Sequence, residues 1–202
     1  VKITIFVEGG GKGALRSECR QAFKQLFDRA GFEKRSPKVV PCGSRREAFD
    51  DFCHELSLDK QGEFPMLLVD SEDAVTKPVW QHLRERQGDQ WEQPEDATDD
   101  HAHLMVQCME SWLIADKDNL ETYFGNGFVV SRLPPGTNVE VISKAAVFAG
   151  LRAATRDTKP KGEYSKGTHS FKILALTDPF KVRRASAHAN RFFDTLEKYT
   201  NS

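Results

Sequence analysis

The sequence predicts an α/β fold: a mostly parallel, Rossmann-like sheet flanked by helices, followed by a C-terminal helical extension. Three observations lead there. Short stretches of strand character alternate with stretches of helical period over residues 1–70. The turns between them are short. Residues 64–69 are apolar without alternation, as a parallel strand buried on both faces should be. Residues 1–125 read as the α/β core and 126–202 as an extension packed on it, in one compact unit.

The elements follow in order. Residues 1–7 alternate around Val1, Ile3, Ile5 and Val7 and form the first strand. Gly9, Gly10, Gly11, Lys12 and Gly13 make a loop. From Ala14 a helix carries Leu15, Cys19, Ala22, Phe23, Leu26 and Phe27 at spacings of three and four, and Gly31 stops it. Residues 38–41 are a short second strand. Ser44 with Glu47 three residues on is a capping box, opening a helix that holds Ala48, Phe52 and Leu56. The third strand, 64–69, ends in Asp70. A short helix after Pro78 carries Trp80 and Leu83, and residues 88–100 form a polar loop. Residues 103–109 are a fourth strand, 110–116 a helix, and 117–124 a further helix capped by Asp116. After an irregular stretch at 125–140, helical patterns return at about 143–155, 168–176 and 187–199.

The chain has 202 residues, 39% hydrophobic and 29% charged, which suits an ordinary folded domain. The formal net charge of −1 hides three blocks. Residues 1–49 hold 11 Lys/Arg against 5 Asp/Glu, 50–121 hold 5 against 19, and 141–202 hold 12 against 5. An acidic middle between basic flanks argues against a uniformly basic DNA-coating protein. No apolar run approaches the roughly 20 residues that span a bilayer. With no secretory signal and four scattered cysteines, free thiols in the cytoplasm are expected. Cys19, Cys42, Cys53 and Cys108 lack the spacing of a zinc site.

The chemistry is expected at the C-terminal ends of the strands, where the functional crevice of an open α/β sheet lies. Glu8 ends the first strand beside a glycine-rich turn, and Asp70, Glu72 and Asp73 follow the third. Carboxylates gathered there repel one another unless a cation intervenes. A hard divalent ion, Mg²⁺ or Mn²⁺, provides that and suits phosphoryl transfer. Two other uses of the glycine-rich turn fit less well. The P-loop pattern fails because Gly13, not Ser or Thr, follows Lys12. The dinucleotide pattern is met by Gly9, Gly11 and Ala14, but no acid ends the second strand to hold a ribose.

These residues resemble the Toprim domain of topoisomerases, primases and OLD-type nucleases. The resemblance is closer to a small bacterial Toprim-like family of unknown function, similar to RloB-type proteins. It is carried by residues 6–11, 15–20, 67–72, 98–112 and 164–171. It implies a metal-dependent nuclease whose partners are DNA or RNA and an ATPase encoded nearby, in a phage-defence setting. It implies that Glu8 is a ligand or general acid/base, and that Asp70 and Glu72 form the metal-binding acid pair. Glu72 stands where Asp is commoner, and Asp73 is an alternative ligand. Glu110 falls where OLD-like nucleases place a further acid.

The candidates for phosphate or substrate binding are Gly10, Gly11, Lys12, Arg16, Arg20, Lys166 and His169; the chemistry of Lys166 suits a phosphate contact and that of His169 proton transfer. Lys12, Arg16 and Arg20 share one helix face by their spacing, and a solvated stripe is the plainer account of them. Glu8 could serve only the helix dipole, Asp70 and Glu72 only a turn, and Glu110 only a helix N-terminus. Two further functions remain open at this level: a non-catalytic regulatory or effector partner of an ATPase, and a nucleotide-binding protein.

Overall fold

The structure, a computed structural model, describes residues 1–201. Four strands, β1 (Lys2–Glu8), β2 (Lys38–Gly43), β3 (Glu63–Asp70) and β4 (Ala102–Met105), form one sheet in the order β2-β1-β3-β4. Every neighbouring pair is parallel. The helices are α1 (Ala14–Phe27), α2 (Arg45–Ser57), α3 (Val79–Glu85), α4 (Met109–Ala115) and α5 (Lys117–Phe124). They continue with α6 (Lys144–Thr155), α7 (Lys166–Leu174), α8 (Pro179–Ala185) and α9 (Ala187–Thr200).

The strand order creates the feature that matters for function. From β1 the chain goes outward to β2, then crosses back over β1 to lay down β3 and β4. Connections from β1 and β3 therefore diverge, and a crevice opens between their C-terminal ends. Glu8 and Asp70 are the last residues of those two strands.

Strand alternation divides the core into two layers. Ile3, Ile5, Val7, Met66 and Leu68 face α1, whose Phe23, Leu26 and Phe27 lie in the same buried cluster. Phe6, Leu67, Val69 and Leu104 face α2 and α3 through Phe49, Phe52, Trp80 and Leu83. The C-terminal helices join the first layer, with Phe171, Val182, Phe192, Phe193 and Leu196 in the α1 cluster. Burying a Phe or Leu side chain contributes about 1.5–3 kcal/mol, so α9 is held to the sheet by its own apolar face.

Local signals explain most element ends. Ser44 Oγ accepts from Glu47 N at 3.2 Å, while Ser44 N donates to Glu47 at 2.9 Å, completing the capping box of α2. Gly31 adopts φ 96° in the wider turn that ends α1. Two expectations need correction. The fourth strand ends at Met105, not at residue 109, because its partner β3 ends at Asp70, opposite Met105; past that point the Met105 and Gln107 carbonyls accept from Ser71 N and Glu72 N. Those bonds turn the chain toward the site, and α4 starts at Met109. In the tail, α8 was not expected. Asp178 caps it by accepting from Phe180 N at 2.8 Å, and Pro179 occupies its first turn.

The loop at 88–100 is polar in sequence but anchored in the core. Asp89 and Trp91 are buried, and the Trp91 ring stacks on Phe49 at 4.4 Å. Among the described residues, no helix is long and apolar enough to cross a membrane.

Candidate metal centre

Three carboxylates meet at the crevice. Glu8, Asp70 and Glu72 each place one oxygen within 4.8 Å of the other two. Glu8 arrives at the end of β1, where pairing with β2 shifts register between Val7 and Glu8. Beyond it the chain is tied down by reciprocal 2.9 Å bonds between Gly9 and Gly43. Gly10 is then pressed against α1 and β2. It has φ 77°, and a Cβ there would lie 2.8 Å from Pro41 Cβ and 3.0 Å from Cys19 Cβ. Only glycine fits this backbone and this clearance.

Asp70 is buried, and its Oδ1 accepts from Met109 N at 2.7 Å at the start of α4. Glu72 follows in a left-handed conformation, φ 68°, uncommon for a residue with a side chain. Its backbone N donates to Gln107 O at 2.8 Å, which holds that turn.

Electrostatics follow from this crowding. Burial, then the Glu8 charge, pushes the Asp70 carboxyl up to about 7, against the pull of Lys166. Burial also raises Glu8, with Arg45 opposing and Glu72 adding to the rise. A cation close to all three oxygens would reverse both shifts.

Three basic side chains surround the acids. Arg45 Nη1 lies 3.3 Å from Glu8 and also donates to the Asp70 carbonyl. Its other nitrogens grip buried Asp89, with Nε at 3.0 Å from Oδ1, and its guanidinium sits 5.0 Å over the Trp91 ring. Lys144 Nζ donates to both Glu72 oxygens at 2.7 Å and lies 3.4 Å from Asp70 Oδ2. Burial disfavours its charge, but Asp70 and Glu72 outweigh that and hold its pKa above the usual lysine value. Lys166 Nζ approaches Glu110 Oε2 at 3.8 Å. Arg45, Lys144 and Lys166 are each the first residue of a helix, and each follows a serine.

Glu110 lies outside the triad. It is fully buried; Oε1 accepts from Tyr164 Oη at 3.1 Å, and Oε2 has no hydrogen-bond partner. Its field still reaches Asp70 and raises that carboxyl.

Other candidate residues are placed elsewhere. Asp73 is exposed and faces Arg86 at 3.7 Å. Arg16 Nε donates to Pro41 O at 2.9 Å and Arg20 Nε to Val39 O at 3.4 Å, so both cover the outer edge of β2. Gly11 and Lys12 are exposed in the loop before α1. His169 is buried, accepts from Ser165 N at 3.0 Å through Nδ1, and lies near the rings of Tyr123, Phe124 and Tyr164. Burial lowers its pKa, so it is a neutral cap on α7. Arg45 and Lys144 were not anticipated from sequence. Their signal was a cation at the first position of a helix, where the dipole disfavours it.

The donor set fits a hard divalent ion. Octahedral Mg²⁺ holds oxygen ligands at about 2.1 Å, so neighbouring oxygens lie about 3 Å apart and opposite ones about 4.2 Å. The three carboxylate oxygens, within 4.8 Å of one another, would have to draw together to share one ion. An all-oxygen donor set suits hard ions such as Mg²⁺ and Mn²⁺.

A family model described as "Domain of unknown function (DUF4276)" matches residues 7–197. No curated protein and no solved structure matches the chain.

Proposed function

The chain belongs to the DUF4276 family, a domain of unknown function, and we propose that it is a divalent-metal-dependent phosphotransfer enzyme. The specific reading is a Toprim-type nuclease that hydrolyses nucleic-acid phosphodiesters in the cytoplasm. One observation carries it: Glu8, Asp70 and Glu72 converge within 4.8 Å at the switch point of a parallel sheet. Three carboxylates gathered at the functional edge of a parallel sheet repel one another unless positive charge compensates them.

In this reading Glu8, Asp70 and Glu72 hold Mg²⁺ or Mn²⁺. Bound there, the ion would supply Lewis acidity at a phosphoryl oxygen and a more acidic water. The chain's own residues do the rest. Arg45 fixes Glu8 from a guanidinium locked by Asp89. Met109 N and the Gln107 carbonyl fix Asp70 and Glu72. Lys166, 54% exposed at the head of α7, is free to meet a phosphate oxygen, and basic residues of the flanks position the backbone. The test is cleavage of plasmid and oligonucleotide substrates with and without Mn²⁺. Activity that survives unchanged in both Glu8→Gln and Asp70→Asn defeats the proposal.

A second reading has an observation of its own. Lys144 already places an ammonium against Glu72 and Asp70, so the acids are neutralised in part without a metal. A regulatory or effector subunit docking on an ATPase would need no more than that. Co-purification with an ATPase encoded nearby, together with no turnover in either metal, would favour it.

A further inference from the structure

Lys144 stands where its own helix does not favour a cation. It is the first residue of α6, whose first turn holds no acid, and a cation there opposes the helix dipole. Ser143 already caps the helix, accepting from Ala146 N at 3.2 Å. The Lys144 backbone is pinned separately: its N–H donates to Gln107 Oε1 at 3.2 Å. Gln107 belongs to the same turn that receives Glu72 N. The backbone is thus held at the site by one set of bonds, while the ammonium is held only by carboxylates. Its side chain is 28% exposed, so a path to solvent is open.

Resting on the metal-centre reading, we infer that Lys144 is the resident counter-ion of the triad and that a divalent ion binds by exchange with its ammonium. The ammonium neutralises Glu72 and Asp70 in the metal-free protein. A divalent ion drawn to the same oxygens repels it, since both compete for one set of lone pairs. The lysine then turns outward on its four-carbon stem while α6 stays in place. The exchange keeps the metal-free site folded despite its crowded acids, at the cost of weaker metal binding than the bare triad would give.

The test uses the full chain and Mn²⁺ alone. Free Mn²⁺ is counted from its electron paramagnetic resonance signal during titration of wild type, Lys144→Met, Lys144→Arg and Asp70→Asn. The expected result is Mn²⁺ binding about tenfold tighter in Lys144→Met, near wild type in Lys144→Arg, and lost in Asp70→Asn. Thermal unfolding gives a second readout. Lys144→Met should melt below wild type without metal, and that deficit should vanish in saturating Mn²⁺. Equal or weaker Mn²⁺ binding by Lys144→Met, while Asp70→Asn still abolishes it, overturns the exchange alone. A melting deficit of the same size with and without Mn²⁺ also overturns it, because Lys144 would then be merely structural. No Mn²⁺ binding by wild type or Lys144→Met overturns the exchange and the metal centre together.

Discussion

Two regions of the molecule supply cations to different acids around one crevice, and they do so differently. The α/β half contributes Arg45, whose side chain is only 13% exposed and is gripped by Asp89, the Asp70 carbonyl and the Trp91 face. The helical C-terminal half contributes Lys144 and Lys166, which are more exposed and hold the acids through single ammonium groups. Arginine's planar fork suits a buried, fixed pairing; lysine's compact charge on a flexible stem suits a contact that is made and broken. The core therefore sets the position of the acids, and the extension supplies charges that can move. Substitutions in the two halves should fail in different ways.

The largest effect belongs to the core acids. Glu8→Gln and Asp70→Asn should each cut Mn²⁺-dependent cleavage by about 100-fold or more. Both variants should remain folded by circular dichroism, because each swap keeps shape and hydrogen-bonding capacity. Arg45→Ala should act on stability instead. It removes the partner at Oδ2 of Asp89, which is buried at 9% residue exposure, and leaves that carboxylate with Arg86 Nη1 on Oδ1 alone. Breaking a buried pair from one side costs about 3–5 kcal/mol. Urea unfolding should show that loss, and an unchanged midpoint would remove the distinction between a fixed and a movable cation.

A change of pH tests the acids without a mutation. The Asp70 carboxyl rises from an ordinary 3.8 to about 7 in the folded protein. Between those values the native state keeps a proton that the unfolded chain has lost. Metal-free stability should therefore be highest at the acid end and fall as pH rises toward 7. Metal binding must expel that proton, so its trend is opposite. Mn²⁺ affinity should climb by up to about tenfold per pH unit below 7 and level off above it. Calorimetric titrations from pH 5.5 to 8 would show this, and a flat profile would mean that Asp70 is ionised before the metal arrives.

How much of this was legible in the sequence depends on what kind of signal each part carries. β1 and β3 announce themselves by composition, and their end positions single out Glu8 and Asp70. Ser44 and Glu47 announce α2 by a local exchange of bonds. β4 was overextended because Val106, Cys108 and Met109 remain apolar and buried after the backbone has turned. Periodicity reports side-chain burial and is blind to which amide takes the Met105 carbonyl. Arg16 and Arg20 show the same limit. Their spacing correctly puts them on one face of α1, but not that this face overlooks the β2 edge. α8 goes unread although Asp178 and Pro179 mark its start, since only Pro179 and Val182 of its residues are buried and no apolar repeat forms. Lys144 is the most telling omission. Nothing in residues 141–150 hints at Glu72, 72 positions away; only a helix that begins with a cation and no acid gives it away.

The smallest stability effect separates Lys166 from Arg45 most sharply. Lys166 is 54% exposed, and its nearest acid oxygen, Glu110 Oε2, is 3.8 Å away, beyond a hydrogen bond. Glu110 itself is fully buried, but the lysine end of the contact is solvated and makes no hydrogen bond to it, so the pair contributes less than the enclosed Arg45–Asp89 pair. Lys166→Ala should therefore shift the urea midpoint less than Arg45→Ala. Glu110 does not depend on Lys166 alone, because Tyr164 holds its other oxygen at 3.1 Å and Tyr164 in turn meets Ser170 at 3.0 Å. If Lys166 serves a phosphate, its loss should instead raise KM for nucleic acid and flatten the salt dependence of binding by about one charge. A stability loss as large as that of Arg45→Ala, with KM unmoved, would make Lys166 a structural counter-ion for Glu110. The division between a fixed core and a mobile extension would then stop at Lys144.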